Sequence, residues 1–197
     1  VATDAERIAA LEQELAAERG ARQALVETSV RLNSLLNLPE LLDAILESAT
    51  GLLNAETSSL LLLDEETNEL VFEAATGESG ALREMRIPAT QGIAGWVLQN
   101  DQPAIVGDVS KDERFYSSVD QSSGFTTRSM IAVPLKIRDH KIGVVEVINK
   151  HGEGGFNDRD QEIATAFAAQ AAIAIDNARL YRQLADAVVE SRLSYRL

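Results

Sequence analysis

The groups best suited to binding chemistry lie in the second half of the chain. Glu146 interrupts the apolar run Ile142-Gly143-Val144-Val145-Glu146-Val147-Ile148, sharing a strand face with Val144 and Ile148 while Val145 and Val147 face the other way. A carboxylate there needs a hydrogen-bond donor if the face is buried, and simply points outward if it is solvated. Phe115, Tyr116, Asp120, Ser123 and Thr127 fall in or just after a polar segment, residues 108–124. They offer stacking and hydrogen bonding, and the segment is too long for an idle connection, so it reads as a lid. Gln91-Gly92-Ile93-Ala94-Gly95 sets two glycines around a helix start, whose unpaired N–H groups suit an anion such as a phosphate. Lys150 and Asp160 stand where they can meet across a glycine-rich joint containing Gly152, Gly154 and Gly155.

Catalytic constellations are missing. His140 and His151 are the two histidines, both in loops beside one strand, and neither has a carboxylate or histidine at ligand spacing on a helix. The sequence has no cysteine, which removes disulfides, thiolate metal sites and thiol nucleophiles. No nucleophile elbow, P-loop or dinucleotide fingerprint occurs. The expectation is a binding module with no catalytic residue, no metal and no cofactor. Thirty-one acids against 18 bases give a formal charge of −13, which argues against nucleic acid and anionic lipid as partners. No apolar run is long enough to span a bilayer and no signal peptide is evident, so a cytoplasmic setting is expected.

The elements that must position these groups can be read in order. Residues 3–36 carry a heptad frame of Ile8, Leu11, Leu15, Leu25, Leu32 and Leu36, with Glu18, Arg22 and Ser29 also in the seam. This reads either as an imperfect coiled coil or as a solvated helix packed on its own domain. Pro39 suits a first helical turn, and Leu41, Leu42, Ile45, Leu46, Ala49, Leu52 and Leu53 give an amphipathic helix ending near Asn54. Strands are expected at 58–63, 69–76, 83–87, 103–106, 128–137 and 142–150, with Pro134 placing its strand at an edge or bulge. Trp96, just after a helix start, offers a ring on which a base could stack but reads rather as core. A long helix from about 158 to 196 has Asn157 or Asp158 as cap and Asp160 or Gln161 at the box position. One stripe of it (Ile163, Phe167, Ala171, Ala174, Ala178, Tyr181) can cover a sheet. A second (Ile173, Leu180, Leu184) has no partner in this chain, which points to a second subunit.

Residues from about 38 to 184 resemble a GAF domain, a sensory fold, most closely the cyclic-nucleotide-binding GAF domains of phosphodiesterases and bacterial adenylyl cyclases. Four stretches carry the resemblance: residues 59–64; residues 86–95; Phe115-Tyr116 through Asp120, Gly124-Phe125 and Thr127-Arg128; and residues 143–160. The last holds a signature of Asn149-Lys150, Phe156 and Asp160, departing at Gln161 where the family has Glu. The resemblance implies an α+β fold, an antiparallel sheet flanked by helices, with long N- and C-terminal signalling helices. It divides the chain into a linker helix at 1–37, a sensory domain at 38–184 and the start of a second linker at 185–197, a piece of a longer protein. It implies a ligand site of Ser59, Ala75, Thr76, Ile93, Ala94, Phe115, Tyr116, Asp120, Ser123, Thr127 and Glu146. Asn149, Lys150, Phe156 and Asp160 would brace the domain without touching ligand. The expected function is cAMP or cGMP sensing relayed through a homodimer. The alternatives are a ligand-free dimerisation relay and a sensor of another small molecule, with haem or iron sensing resting on His140 and His151 alone.

Overall fold

The computed structural model describes residues 38–77 and 82–194. The heptad frame of residues 3–36 lies outside them. Helix α1 (Leu38–Leu52) enters first, burying Leu38, Leu42, Leu46 and Ala49 at helical spacing. Its other apolar stripe stays out: Leu52 is exposed and Leu41 borders on it. Strands β1 (Ala55–Asp64) and β2 (Glu69–Ala75) form a hairpin whose turn is held by the Asp64 carboxylate, which accepts from the N–H groups of Glu66 and Thr67.

The remaining elements are β3 (Arg86–Pro88), α2 (Gly92–Asn100), β4 (Ala104–Val106), a short 3₁₀ turn (Val109–Lys111), α3 (Ser118–Ser123), β5 (Met130–Ile137), β6 (His140–Lys150) and α4 (Asp158–Ser194). Together the strands make one antiparallel sheet in the order β3-β2-β1-β6-β5-β4. Several boundaries move from expectation: β5 starts two residues late, at Met130, and β6 two residues early, at His140, a residue expected in a loop. β1 starts three residues early, at Ala55, and β3 is confined to Arg86–Pro88 because Glu84 adopts φ 68 and turns the chain. Pro134 sits opposite Val144 on the β6 side, while β4 pairs only with Met130, Ile131 and Ala132. The proline therefore stands where β5 has no second neighbour, and a register shift follows at Leu135/Lys136.

Two cores lie on opposite faces of the sheet. Leu60, Ala74, Ile131, Val133, Val145 and Val147 pack toward α1 and α4. The buried stripe of α4 is alanine-rich (Ala164, Ala168, Ala171, Ala178, with Ile175), and small side chains let the helix lie close to the strands. Phe167 and Tyr181, expected in that stripe, are half-buried at its border. Leu61, Phe72, Ile87, Met130, Ala132, Val144 and Ile148 face the other way, toward α2 and the segment around α3. β1 and β6 approach so closely that a Cβ on Gly143 would lie 2.0 Å from the Leu61 carbonyl oxygen, so only glycine fits there.

Among the described residues, no helix is long and apolar enough to cross a membrane.

Candidate functional site

The site is a cavity on the α2/α3 side of the sheet, with β1 and β6 as its floor. Its volume is about 50 Å³, and its walls are mostly apolar, with Phe72, Phe115, Tyr116 and Phe125 supplying four aromatic rings. The polar side chains lining it are Ser59, Tyr116, Asp120, Ser123, Thr127 and Glu146. No Lys, Arg or His is among the lining residues described.

Strand register assembles the floor. Ser59 is directly opposite Glu146 on β6 and Ala75 on β2, and Glu146 is opposite Ala132 on β5, so these four share one face. Glu146 is buried, with 8% of its surface exposed. Ser59 Oγ donates to Glu146 Oε2 at 3.1 Å. Oε1 has no protein partner among the described residues. Loss of hydration pushes the Glu146 carboxyl up to about 7; the Ser59 hydrogen bond pulls the other way, and the Asp120 charge adds to the rise. The group is thus poised between carboxylate and carboxylic acid at neutral pH.

One wall is the start of α2. Gln91 precedes it in extended conformation and makes no side-chain capping bond, and Gly95 N–H is the first to donate back, to Gln91 O. The N–H groups of Gly92, Ile93 and Ala94, all cavity-lining residues, precede that bond at the positive end of the helix dipole. Gly92 has φ 75, and a Cβ there would come within 3.2 Å of Tyr116 Cβ, so glycine permits both the turn and the close approach of the lid.

The segment expected to form a lid, together with its flank to residue 127, is tied down at several points. Asp108 caps the 3₁₀ turn through Ser110 N–H. Arg114 makes a two-pronged pair with Asp112, and its guanidinium lies 4.5 Å from the Trp96 ring centroid. Trp96 packs against the site-side core, as expected of a core residue, and does not line the cavity. Asp120 accepts from both Thr127 N–H and Thr127 Oγ at 2.7 Å, closing a loop across the C-terminus of α3. Ser123 Oγ donates to Val119 O and accepts from Phe125 N–H.

Of the eleven expected ligand residues, the structure brings nine to the cavity: Ser59, Ile93, Ala94, Phe115, Tyr116, Asp120, Ser123, Thr127 and Glu146. Ala75 shares the floor's face through its pairing with Ser59 but does not line the cavity. Thr76 departs from expectation. Its hydroxyl is taken up on the α1 side of the sheet, accepting from Ser58 N–H at 2.9 Å and meeting the hydroxyls of Thr57 and Thr50. Of the apolar walls, Phe72 and Met130 were not singled out in the sequence, while Ile87 and Phe125 enter only within the stretches that carry the resemblance. Strand alternation alone would have found Phe72 and Met130.

The brace is larger than its expected four members. Asn149, fully buried at φ 58, uses its whole side-chain amide: Oδ1 accepts from Arg128 N–H (2.6 Å) and Ser129 N–H (3.2 Å), while Nδ2 donates to Glu56 Oε2 and Thr126 O (2.8 Å each). Glu56 in turn pairs with Arg128. Asn149 therefore pins the chain where the lid ends. Next to it, Lys150 pairs with Asp160 and lies 5.6 Å from the Phe156 ring centroid. Asn157 Oδ1 accepts from Arg159 and Asp160 N–H, and Asp160 Oδ2 accepts from Asn157 N–H, a reciprocal capping box at the start of α4. Gln161 is not part of that box. His140 meets Glu65 at 2.9 Å on the surface, and His151 is exposed, so both are remote from the cavity lining.

A family model described as GAF domain matches residues 36–176. A curated protein of Caenorhabditis elegans, "Probable 3',5'-cyclic phosphodiesterase pde-5", is 29% identical over 175 residues, covering 84% of this chain and 23% of that protein. This chain thus spans less than a quarter of that relative's length. Among solved structures, the GAF domain from an Acinetobacter phosphoenolpyruvate-protein phosphotransferase superposes with a TM-score of 0.64 at 22% identity, covering 80% of this chain and 96% of that one. Free methionine-R-sulfoxide reductase from Neisseria meningitidis, solved with its substrate, superposes with a TM-score of 0.62 at 21% identity, covering 74% and 82%. These two likenesses concern the fold.

Proposed function

Because the chain belongs to the GAF domain family, a fold that binds small molecules, we propose that it is a regulatory module whose cavity takes a cyclic nucleotide, cAMP or cGMP. The observation that carries this reading is one cavity holding both an uncapped helix start and a buried carboxylate with a free oxygen. The helix start offers amides to a singly charged cyclic phosphate without any basic side chain, which suits an acidic protein. The aromatic rings supply faces for a purine, and Glu146 with Ser59 supplies a polar floor. The 29% identity to a protein named as a cyclic phosphodiesterase supports the same ligand class.

A cavity of about 50 Å³ holds about four waters, so nucleotide entry requires residues 108–127 to lift. Release of the Asp120–Thr127 bonds and of the Arg114–Trp96 contact would accompany it. Lid position then passes through Asn149 to the base of α4, and from α4 to a second copy of the chain. Ile173 and Leu180 stand one heptad apart on α4, 62% and 56% exposed, and supply the apolar face for that homodimer. Calorimetric titration of the purified chain with cAMP and cGMP tests the ligand. No heat with either at high micromolar protein overturns it. Thermal shift is quicker, since nucleotide at about 100 times its dissociation constant adds about 2.7 kcal/mol.

A ligand-free dimerisation relay is the second reading, and the lid favours it. Asp120 and Thr127 bond to each other, and Ser123 bonds to Val119 O and Phe125 N–H, so all three are taken up within the closed segment. That reading expects no nucleotide heat and no copurifying small molecule, with a dimer in sedimentation.

A further inference from the structure

If the cavity takes a cyclic nucleotide, something in it must tell adenine from guanine, and the polar inventory leaves few candidates. Thr76 is turned to the α1 side. Asp120 has both oxygens on Thr127, and Ser123 is bonded within the lid. A hydroxyl such as that of Tyr116 donates and accepts alike and so discriminates little. Glu146 remains: nine-tenths buried, fixed by Ser59 at one oxygen and with the other free. The rings of Phe72, Phe115, Tyr116 and Phe125 line the same cavity and offer faces for a planar base once residues 108–127 lift.

A carboxyl group offers two different hydrogen-bonding faces. As a carboxylate it is a pair of acceptors and complements two adjacent donors, as on the N1–H and N2–H₂ edge of guanine. As a carboxylic acid it is one donor beside one acceptor. That pattern complements adenine, whose N6–H₂ donates while a ring nitrogen accepts, as the amide of Asn or Gln does when it reads adenine.

We propose that Glu146 is the base-reading residue of this site and that its protonation state sets which purine is taken, the acid selecting adenine and the carboxylate selecting guanine. The proposal rests on the cyclic-nucleotide reading above. Its surroundings permit both states. The charged group facing Glu146 is Asp120 from α3; Tyr116 is the other titratable lining residue. β1 contributes Ser59, β2 Phe72, β5 Met130 and Ala132, and α2 Ile93 and Ala94. With no described cation against it and a titration near 7, both forms are populated at neutral pH. Adenine binding then draws a proton from solvent to Glu146, and guanine binding returns one.

The test is calorimetry of the wild-type chain with cAMP and with cGMP from pH 5.5 to 8.5, repeated at pH 7 in buffers of different ionisation heat. With a midpoint of about 7, cAMP affinity should fall about 30-fold across that range and cGMP affinity should rise about 30-fold. At pH 7, cAMP should take up about half a proton per site and cGMP release about half. Glu146→Gln, whose amide imitates the acid, should hold cAMP with pH-independent affinity and bind cGMP at least tenfold more weakly than wild type at pH 8.5. Two nucleotides that bind with parallel pH profiles, or with no proton exchange, overturn the base-reading role and leave the nucleotide reading standing. Failure of both to bind at every pH overturns both.

Discussion

Burying Glu146 has a stability consequence that needs no ligand. Its carboxyl ionises near the ordinary 4.5 in the unfolded chain and at about 7 in the fold. Between those values the folded state holds a proton that the unfolded state has lost, so stability falls as pH rises. The stabilisation of the acid form is complete below about pH 4.5 and is gone once pH has passed through about 7. A separation of about 2.5 units at about 1.36 kcal/mol each gives about 3 kcal/mol. Other carboxylates titrate over the same range, so the informative quantity is a difference. Urea unfolding of wild type and Glu146→Gln from pH 4.5 to 8.5 isolates it, because the common acids cancel. Wild type should lose about 3 kcal/mol relative to the variant across that interval. Asp120→Asn should move the midpoint of the loss toward lower pH, since the Asp120 charge helps to raise it. Parallel curves for wild type and Glu146→Gln would refute the claim that burial governs this carboxyl.

Five further outcomes are expected. Asn149→Ala removes the amide that holds Arg128, Ser129, Thr126 and Glu56 and should cost about 3 kcal/mol in denaturant unfolding, with faster proteolysis near residues 124–129. Lys150→Ala leaves Asp160 buried without its cation and should also cost about 3 kcal/mol. Glu146→Ala should leave the folded domain intact by circular dichroism while weakening ligand heat; similar behaviour of the two variants would show their roles wrongly divided. Gly143→Ala should fail to accumulate as folded protein, because its methyl would meet the Leu61 carbonyl. Trp96, the one tryptophan of the sequence, should change its emission when the lid lifts away from it, and Arg114→Ala should abolish most of that change.

Periodicity made the fold readable where one physical signal dominated. Alternation along residues 142–148 put Glu146 with Val144 and Ile148, and the sheet agrees. The cap and box at Asn157 and Asp160 were legible because side-chain length and spacing determine which N–H each can reach. Boundaries set by backbone conformation were not legible: Glu84 at positive φ shortens β3, and neither its type nor its neighbours announce that. For the site, the resemblance brought nine of its eleven residues to one cavity, yet it could not foresee that Asp120 and Thr127 engage each other across seven residues. Thr76 misled because β2 carries an extra residue between Phe72, opposite Leu61, and Ala74, opposite Leu60. That irregularity flips the alternation and turns Thr76 away from the face of Phe72, and no residue type announces it. Asn149 was noted as a brace, but its four bonds span partners up to 93 positions away, and no local pattern encodes such a network.

The capping box at Asn157 and Asp160 also sets the rotational phase of everything downstream. Lys150 ties the first turn of α4 to the end of β6, so the 37-residue helix leaves the domain with its azimuth clamped at its root. Each residue inserted beyond that root turns the emerging face by about 100° and advances it about 1.5 Å. An output module grafted after α4 should therefore respond to linker length as a periodic function, regaining its original regulation at insertions of seven residues and losing or inverting it at intermediate ones. Such a phase scan would read the clamp directly, as an angle.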